Sequence, residues 1–438
     1  MTSDKFRLGV IFTHPTQHHG PLWRKLSQQP GLSLKVMYLS SENQSSGDPF
    51  LGGSAQPWDV DLLSGYPYEY LKDLSGNVPT QRRKTVISPG LISRLTPQNF
   101  DAIFMQSFVN YSYRLTALLC KLRGLPLIMQ NDASMMSDGR YGRLRLIAMA
   151  ILYPWMNNLA DYWLSCGDHN EIHLRHYGVP DAKIVRGCHP VDGERFKQTI
   201  GQNQAEIKQI RQRLAWDENT VIYGFAGKYI HRKNPFEFID AIAKAHRRDP
   251  RIRGVMLGGG ELEGEINQRL ARLQGEVLNL GFLNQAKIPL YYAAMDGFVS
   301  TSWIDPHPLV ISEAMASGCP PILSDRCGNW GYNDTVQHRY NGLVYPCGNV
   351  DALASAMLEM AEAETRQRYR QRSKEVFDGQ DLECEVNAFL EVIDRIKHDR
   401  RKQASEVELG VSPGAANAAP MKSTLTDLSN PIDEANYQ

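Results

Sequence analysis

Two segments in the second half of the chain combine residue types that suit a diphosphate and a sugar. The run from Gly227 to Lys233 follows the strand-like sequence TVIYGFAG and leads into a helix predicted over 234–248. A glycine lets the backbone approach a ligand closely, a helix N-terminus presents unpaired N–H groups, and Lys228 and Lys233 add positive charge. This arrangement favours a diphosphate, and the alternative is a solvated basic turn.

The second segment, from Ser302 to Pro320, holds two carboxylates in the pattern D-x7-E. Asp305 follows the strand-like run GFVSTS, and Glu313 lies on a helix predicted to begin near Pro308. Because ligands of parallel sheets collect at the carboxyl ends of the strands, Asp305 is expected at a cleft. Two carboxylates on either side of a helix start can accept hydrogen bonds from separate sets of sugar and ribose hydroxyls.

The loop after the first predicted strand contains His14, His18 and His19 within six residues. A metal site is not favoured, because a proline at 15 interrupts any helix that would align the first two imidazoles and no acidic or cysteine partner is nearby. We expect Gln17, His18 and His19 to bind an acceptor or the donor phosphates, with a plain turn as the alternative.

Two further acidic positions follow strand-like or loop-rich sequence. The strand PLIMQ ends before Asn131 and Asp132, and Asp132 is a candidate for orienting an acceptor hydroxyl or, equally, for capping the next helix. Asp59 and Asp61 form a lone D-x-D pattern, which we interpret as a chance match. No obligatory metal is therefore predicted, since lysines and helix N-termini can neutralise a leaving diphosphate instead.

Short apolar runs alternate with helical patterns in both halves of the chain, which predicts parallel, doubly wound sheets. The alternation restarts after a polar helix at 204–214, so the expected fold class is α/β with two similar domains. Asn234 is predicted to cap the helix over 234–248 and Pro235 to take its first position. Residues 41–100 are rich in Gly, Ser, Pro and Asn and are predicted to form loops that could cover a site.

The composition is that of an ordinary globular protein of 438 residues, with 48 Lys+Arg balanced by 48 Asp+Glu. A neutral balance gives no general drive toward nucleic acid. Seven cysteines without a C-x-x-C pair indicate reduced thiols, and the N-terminus does not resemble a signal peptide, so a cytoplasmic protein is expected.

The most apolar stretch, 144–166, is interrupted by Arg145 and Pro154 and is not a convincing membrane span. Basic residues at 140, 143 and 145 precede or begin it. Two interpretations stay open: a buried helix with a solvated start, or an amphipathic helix at the inner surface of a membrane, which would make the protein a peripheral one.

Several of these stretches together resemble one known family. The D-x7-E run followed by AMASGCP is similar to the E-x7-E signature of the retaining, GT-B-fold glycosyltransferases of family 4, and G-K-x4-K is similar to that family's phosphate clamp. The stretches GGGELEGEI, LGFLNQAKIPLYYAAMDGFVSTS and NGLVYPCGNVDALASAM resemble the same C-terminal domain in order and spacing. The resemblance covers residues 220–360, and the first domain resembles the family only in layout.

The resemblance implies roles for the site residues. Lys228 and Lys233, in the loop that begins at Gly227, would hold the diphosphate of a nucleoside diphosphate sugar, and Glu313 would bind the ribose. Backbone groups from His307 to Leu309 and Val310 would cradle the phosphates or the sugar, and Phe282 and Leu283 would lie at the base. Asp305 would contact the donor sugar and is, with Asp132, the candidate catalytic residue. The family usually has Glu where Asp305 stands and often His where Asn131 stands, which leaves the sugar preference open.

The resemblance implies a GT-B architecture, with two Rossmann-like domains facing across a cleft, and retaining transfer. The donor would be a UDP- or GDP-sugar, and the acceptor a hydroxyl of a sugar, glycan or lipid-linked sugar. Alternatives are a non-catalytic nucleotide-sugar-binding subunit, or an epimerase or phosphorylase on the same fold. The predicted segments are an acceptor domain over 1–190, a linker over 191–203, a donor domain over 204–376, a helix over 377–402 that packs back toward the first domain, and a disordered tail over 403–438.

Overall fold

The structure is a computed structural model that describes residues 5–40, 57–74, 86–138, 142–214 and 217–408. It divides into two compact units, Met1–Ile393 and Asp394–Gln438, and the first of them contains both β-sheets. All seven cysteines lie in the described segments, and none of them forms a disulfide.

The described part of the first sheet has seven parallel strands in the order β3-β2-β1-β4-β5-β6-β7. These strands are β1 (Phe6–Phe12), β2 (Leu32–Tyr38), β3 (Tyr68–Tyr70), β4 (Ala102–Gln106), β5 (Leu127–Gln130), β6 (Tyr162–Ser165) and β7 (Ile184–Arg186). The helices that connect them are α1 (His19–Ser27), α2 (Leu91–Arg94), α3 (Tyr111–Arg123), α4 (Met135–Asp138), α5 (Arg143–Asn157) and α6 (Asp168–His176).

Two helices, α7 (Gly193–Gln202) and α8 (Gln204–Leu214), precede a second sheet with the order β10-β9-β8-β11-β12-β13. Its strands are β8 (Val221–Ala226), β9 (Ile252–Leu257), β10 (Val277–Asn279), β11 (Gly297–Ser300), β12 (Pro321–Ser324) and β13 (Leu343–Tyr345). The remaining helices are α9 (Pro235–Arg248), α10 (Glu263–Leu270), α11 (Ile288–Ala293), α12 (Leu309–Ala316), α13 (Val350–Ala361), α14 (Ala363–Asp378) and α15 (Leu382–Glu408).

The central strands are short, apolar and buried on both faces, as expected for parallel strands covered by helices on each side. Every residue of β5, β6, β8, β11 and β12 is buried. This explains why the sequence of these strands has continuous apolar runs instead of alternating polar and apolar residues.

Each sheet has one position where the chain reverses its direction of progress along the strand order. The reversal lies between β1 and β4 in the first sheet and between β8 and β11 in the second. At such a position the loops that leave the two strands diverge to opposite faces of the sheet and leave a crevice at the carboxyl ends. In the second sheet, these are the loops that begin at Gly227 and at Thr301, which contain the predicted phosphate and sugar residues.

Three local expectations differ from the structure or fall outside it. The predicted linker contains a ten-residue helix, α7. The predicted side-chain cap by Asn234 is wrong: this residue has a φ of 48°, and its amide donates to the Glu237 carboxylate while making no cap hydrogen bond. In the predicted tail, residues 403–408 continue α15, and residues 409–438 lie outside the described residues.

The start of α15 contacts residues of the first sheet. The Phe389 ring lies 4.8 Å from the Phe104 ring, measured between centroids. The buried Glu385 carboxylate accepts hydrogen bonds from the Cys188 backbone N–H at 2.7 Å and from the Gln130 amide at 2.8 Å. Burial raises the pKa of Glu385 to about 8 from its ordinary value of 4.5, and these two hydrogen bonds oppose the increase.

Because folding raises the pKa of Glu385, its contribution to stability is fully present below pH 4.5 and is lost as the pH rises through about 8. We expect the free energy of unfolding of Glu385→Gln to decrease less between pH 5 and 8.5 than that of the wild type, by on the order of a few kcal/mol. Urea denaturation at several pH values measures this difference. Parallel pH profiles for the two proteins would contradict the assignment.

Candidate functional site

The two loops at the crevice of the second sheet meet through an ion pair. Lys233 ends a short 3-10 helix, His231–Lys233, directly before α9, and its Nζ contacts Oδ2 of Asp305. The Thr301 hydroxyl donates to the backbone carbonyls of Lys233 at 3.0 Å and Asn234 at 2.8 Å. The structure therefore brings together the two residues predicted to bind the diphosphate and the donor sugar, and it fixes the backbone of one loop on the other.

The ion pair is largely removed from water. The side chains of Lys233 and Asp305 are 16% and 8% exposed. The two opposite charges form a polar site at the end of a strand. An incoming anion can replace Asp305 as the partner of Lys233 there. Lys228 lies half-buried in the same loop, five residues before Lys233.

The position of Asp305 is fixed by its backbone. Its N–H donates to the Arg326 carbonyl at 3.1 Å, and its carbonyl accepts from the Gly328 N–H at 2.8 Å. A Cβ at Gly328 would lie 2.0 Å from the Pro306 carbonyl oxygen, so only glycine permits this close approach. The loop after β11 is thus held at Asp305 by a parallel bridge to Cys327, in the segment that follows β12.

The loop after β8 depends on a comparable backbone approach. Gly227 has a φ of 155°, and a Cβ at Gly258 would lie 1.9 Å from the Gly227 carbonyl oxygen. The Tyr229 N–H donates to the Gly259 carbonyl at 2.8 Å, which ties the loops after β8 and β9 to each other. Apart from the chain neighbours of Gly227, no atom of the described residues lies within 4 Å of the position that its Cβ would take, so its backbone has space beside it for a ligand.

Helix α12 begins at the same crevice. Leu309 and Val310 form its first turn, and His307 is buried just before it. The first N–H groups of a helix have no intrahelical acceptor, and the helix dipole makes this end favourable for an anion. The first turn of α12 can therefore bind phosphate oxygens next to Lys233.

A cavity of about 530 Å³ opens between the two loops, beside the ion pair. The Trp303 side chain is 53% exposed there, and its backbone N–H donates to the Arg232 carbonyl at 2.9 Å. The residues that line the cavity are His231, Arg232, Asn234, Pro235, Phe236, Trp303 and Ile304.

The second predicted carboxylate, Glu313, is the centre of a buried hydrogen-bond network. Oε1 accepts from the Gln285 amide and Oε2 from the Tyr292 hydroxyl, both at 3.4 Å. The Arg195 guanidinium holds Gln285 through its backbone carbonyl at 2.7 Å and its side-chain oxygen at 2.8 Å. Burial raises the pKa of Glu313 to about 7, and the charge of Arg195 opposes the increase. Glu313 is therefore poised to change its charge near neutral pH.

His18 and His19, in the loop after β1, have different surroundings. His18 Nδ1 lies 4.0 Å from Glu313 Oε1, and its Nε2 lies 3.1 Å from the Gln17 amide, so both residues are next to the donor-side carboxylate. Burial, together with the charge of His189, lowers the pKa of His18 to about 3, so the imidazole is neutral at pH 7.

His19 is instead part of the domain interior. Its Nδ1 lies 2.9 Å from the Thr16 hydroxyl and its Nε2 lies 3.0 Å from the Gln106 amide. Its ring centroid lies 4.5 Å from that of Phe12 and 5.7 Å from that of Trp23. With both ring nitrogens already hydrogen-bonded, His19 fixes the loop, and the predicted contact with an acceptor does not fit its position.

At the end of β5, Asn131 and Asp132 have different surroundings. The Asn131 side-chain oxygen accepts from the Asn170 amide at 2.9 Å, which orients the Asn131 amide. Asp132 is exposed. Ser134, and not Asp132, caps the next helix, because its hydroxyl oxygen accepts from the Ser137 N–H at 3.4 Å. The capping alternative for Asp132 is therefore wrong.

Phe282 and Leu283, the residues predicted to lie at the base, are covered in part by a segment of the first domain. The Trp58 ring centroid lies 6.3 Å from that of Phe282. The Asn284 amide donates to the Pro57 carbonyl at 2.7 Å. This segment comes from the stretch 41–100 that was predicted to cover a site, of which 41–56 and 75–85 lie outside the described residues.

Both acidic residues of the D-x-D pattern have structural partners. The Asp59 carboxylate accepts from the Ala286 N–H at 3.0 Å. The Asp61 carboxylate accepts from the N–H groups of Leu63 at 3.0 Å and Ser64 at 3.1 Å. Within the described segments, no three His, Cys, Asp or Glu side chains are grouped closely enough to hold a metal ion.

The sequence analysis missed His189, which faces the predicted site residue His307 across the two domains. The His189 and His307 rings lie 4.8 Å apart, measured between centroids, and are inclined by 65°. Burial lowers the pKa of both imidazoles, and the charge of Asp132 opposes this at His189. In the described part of the chain, Nδ1 of His189 is buried without a hydrogen-bond partner. At His307, hydrogen bonds with backbone groups of Cys166 and of His307 itself partly oppose the lowering of the pKa.

A second polar bridge joins the domains near the end of β6. The Asp168 N–H donates to the Asp334 carboxylate at 2.7 Å. Arg186 donates to the Asp168 carboxylate at 2.8 Å and to the Asn333 carbonyl at 2.9 Å. Burial raises the pKa of Asp334 to about 6, and the charge of Arg186 opposes the increase. The cleft is therefore bridged both at residues 57–59 and at Asp168.

Comparison with known proteins agrees with this architecture. Residues 206–376 match the model of the family described as Glycosyl transferases group 1. The UDP-Gal:alpha-D-GlcNAc-diphosphoundecaprenol alpha-1,3-galactosyltransferase of Escherichia coli is 25% identical over 330 residues, which cover 70% of this chain and 81% of that protein. The alpha-monoglucosyldiacylglycerol synthase of Streptococcus pneumoniae is 27% identical over 158 residues, which cover 36% of this chain and 35% of that protein.

Solved structures share the fold at low sequence identity. HepE of Anabaena, in complex with UDP and glucose, superposes with a TM-score of 0.64 at 16% identity and covers 89% of this chain and 100% of its own. A glycosyltransferase from Rickettsia africae gives a TM-score of 0.66 at 13% identity, over 90% of this chain and 99% of its own. The predicted fold class, two Rossmann-like domains in the GT-B arrangement, is confirmed. Together these findings show that the chain has the fold of GT-B glycosyltransferases and that its residues 206–376 are similar to the Glycosyl transferases group 1 family.

Proposed function

We propose that this protein transfers a sugar from a UDP-sugar to a hydroxyl group of a lipid-linked saccharide, with retention at the anomeric carbon. The observation that carries the proposal is the Lys233–Asp305 pair beside the first turn of α12, with Glu313 on the same helix. The UDP-sugar donor and the lipid-linked acceptor are supported by the names of the Escherichia coli relative and of HepE, and retention by the resemblance of the D-x7-E segment.

The donor residues would each bind one part of the UDP-sugar. Lys228, Lys233 and the first N–H groups of α12 would bind the diphosphate, Glu313 the ribose hydroxyls, and Asp305 the hydroxyls of the sugar. As the bond from the anomeric carbon to the diphosphate breaks, negative charge grows on the leaving phosphate oxygens. Fixed positive groups at this position lower the barrier because they need no reorganisation.

The uracil base would lie beside Phe282 and Leu283, where Trp58 of the first domain covers the loop. With residues 57–59 bonded to residues 284–286, water is kept from this end of the donor, which limits hydrolysis of the activated sugar. No metal is required in this proposal, because Lys228, Lys233 and the start of α12 offset the charge of the diphosphate.

The acceptor would approach from the first domain. Asp132 is exposed at the end of β5, and its charge acts on His189, which pairs with His307 across the cleft. We assign Asp132 and His189 to orienting the acceptor hydroxyl, with Gln17, His18 and Asn131 lining the same side. Hydrogen bonds at these positions would align the hydroxyl oxygen with the anomeric carbon.

Calorimetric titration of the protein with UDP, GDP and ADP, in buffer that contains EDTA, tests the donor assignment. We expect UDP to bind at least tenfold more tightly than GDP or ADP. Transfer of labelled sugar from UDP-galactose and UDP-glucose to an undecaprenyl-diphosphate saccharide then tests turnover, and NMR of the product's anomeric proton tests retention.

The outcomes separate the alternatives. Binding of UDP-sugars without transfer to any saccharide acceptor would indicate a non-catalytic binding subunit, and an isomerised free UDP-sugar would indicate an epimerase. Failure of the folded protein to bind any of the three nucleotides would refute the donor site itself.

A further inference from the structure

Helix α5 is the most exposed apolar helix in the described part of the first domain. Of its fifteen residues, only Met149 and Asn157 are buried. Leu144 is 85% exposed, Ile151 70% and Trp155 67%. The interpretation of the stretch 144–166 as a buried helix with a solvated start is therefore wrong for α5. Large apolar side chains at this level of exposure mark a surface that contacts something other than water.

The exposed side chains form one continuous stripe. Leu144, Ile147, Ile151 and Trp155 are spaced by three, four and four residues, which places them on one face of an α-helix. Met149 is two residues from both Ile147 and Ile151 and so lies on the opposite face, toward the domain. The amphipathic helix thus has its apolar face outward.

A second helix of the first domain also has exposed apolar side chains. Right-handed crossovers from β4 to β5 and from β5 to β6 advance in the same direction along the sheet, which places α3 and α5 on the same side. On α3, Leu118 and Leu122 are one turn apart and are 52% and 73% exposed. We call the exposed residues of these two helices the apolar basic face: Leu118, Lys121, Leu122, Arg143, Leu144, Arg145, Ile147, Ile151, Leu152 and Trp155.

The charges of this face have a single sign. Neither α3 nor α5 contains an Asp or Glu, whereas Lys121, Arg143 and Arg145 are exposed cations among the apolar side chains. Binding to a protein of ordinary composition does not require a surface on which all the charges are positive. A bilayer of anionic phospholipid complements both properties, because its headgroups attract the cations and its interface accepts the apolar side chains.

We propose that the apolar basic face docks on an anionic phospholipid bilayer, with α5 lying in the plane of the interface. Within the described residues, no helix has the length and apolar character needed to cross a membrane. In this proposal the attachment is peripheral, and Trp155 supplies an indole side chain of the kind that is enriched at membrane interfaces. This inference rests on the proposed function only for its purpose: docking would bring the acceptor cleft to a lipid-linked saccharide.

Co-sedimentation of the full chain with vesicles tests the inference without any donor or acceptor. We expect binding to vesicles that contain phosphatidylglycerol, much weaker binding to pure phosphatidylcholine, and a decrease with salt. The double variant Ile151→Ser/Trp155→Ser should lose at least tenfold in partitioning. Arg143→Gln should lose binding only to the anionic vesicles. Tyr340→Ser removes an aromatic side chain that is 40% exposed on the second domain and should bind as the wild type does.

Two results would overturn the inference. One is equal vesicle binding by the wild type and the Ile151→Ser/Trp155→Ser variant. The other is a wild-type dimer, seen by sedimentation velocity, that this variant converts to a monomer, since the face would then join two copies of the chain. Titration of each variant with UDP tests the donor site independently of membrane docking. The vesicle-binding result remains valid even if UDP does not bind.

Discussion

Replacing Lys233 with alanine is expected to weaken the binding of a UDP-sugar about ten- to a hundredfold. The change removes one charge-assisted hydrogen bond to the diphosphate, which contributes roughly 1.5–3 kcal/mol. It also leaves the Asp305 carboxylate, which is 8% exposed, without its ion-pair partner at the place where the phosphates must bind. Calorimetric titration of both proteins with UDP and UDP-glucose measures the difference.

Lys244→Ala is the matched control for this substitution. Lys244 lies in the second half of helix α9 and also pairs with a carboxylate, Asp351, but its side chain is 39% exposed and its partner belongs to neither crevice loop. Its removal should leave the affinity unchanged. Lys233→Ala/Asp305→Asn should regain part of the affinity lost in Lys233→Ala, because it removes the uncompensated charge. An unaltered dissociation constant for Lys233→Ala would eliminate the assignment of the diphosphate to this loop.

The affinity of the wild-type protein for UDP-glucose is expected to rise about tenfold between pH 6 and pH 8. Burial raises the pKa of Glu313 to about 7, so the carboxylate that would accept the ribose hydroxyls is mostly protonated at pH 6 and mostly ionised at pH 8. Both phosphates of a nucleotide sugar are esterified, and the ligand itself does not titrate in this range. The pKa of His18 is lowered to about 3, so this imidazole stays neutral throughout.

Glu313→Gln should bind weakly and with the same affinity at pH 6 and pH 8. Glu237→Gln serves as the control, because burial also raises the pKa of Glu237 to about 7, but this carboxylate binds the Gly348 N–H within the second domain. The control should retain the pH dependence of the wild type. If Glu313→Gln keeps the full tenfold change, the titrating group lies elsewhere and the ribose assignment fails.

Local sequence was enough to predict the fold class and to place the loops that contain Lys233 and Asp305 after strands. The alternation of apolar runs and helical patterns marks strands and helices directly, and ligand-binding loops of parallel sheets have a fixed place at the strand ends. Lys233 and Asp305 are 72 positions apart in the chain, but each stands directly after a recognisable strand. The strand order then brings their loops together at one crevice.

Partners across the domains could not be predicted in this way. Arg195 and His189 lie in the connection between the two sheets, in sequence with no pattern that marks a binding site. Their partners, Gln285 and His307, lie in loops of the second domain. His19 shows the opposite error. Its sequence neighbours suggest a ligand contact, but the hydrogen bond to Gln106 depends on the pairing of β4 with β1, which only the folded sheet provides.

The two bridges between the domains have a kinetic consequence. The interdomain contacts at residues 57–59, His18, His189 and Asp168 are hydrogen bonds, a polar contact of a neutral imidazole and single ring contacts, most of them with groups that water can replace. Since each such hydrogen bond contributes only about 0.5–1.5 kcal/mol net, separating the domains costs far less than unfolding either sheet. Hinge motions of this kind take place in microseconds to milliseconds. For the transfer proposed above, we expect opening of the cleft to release UDP to limit the maximal turnover number, which should then decrease as solvent viscosity increases.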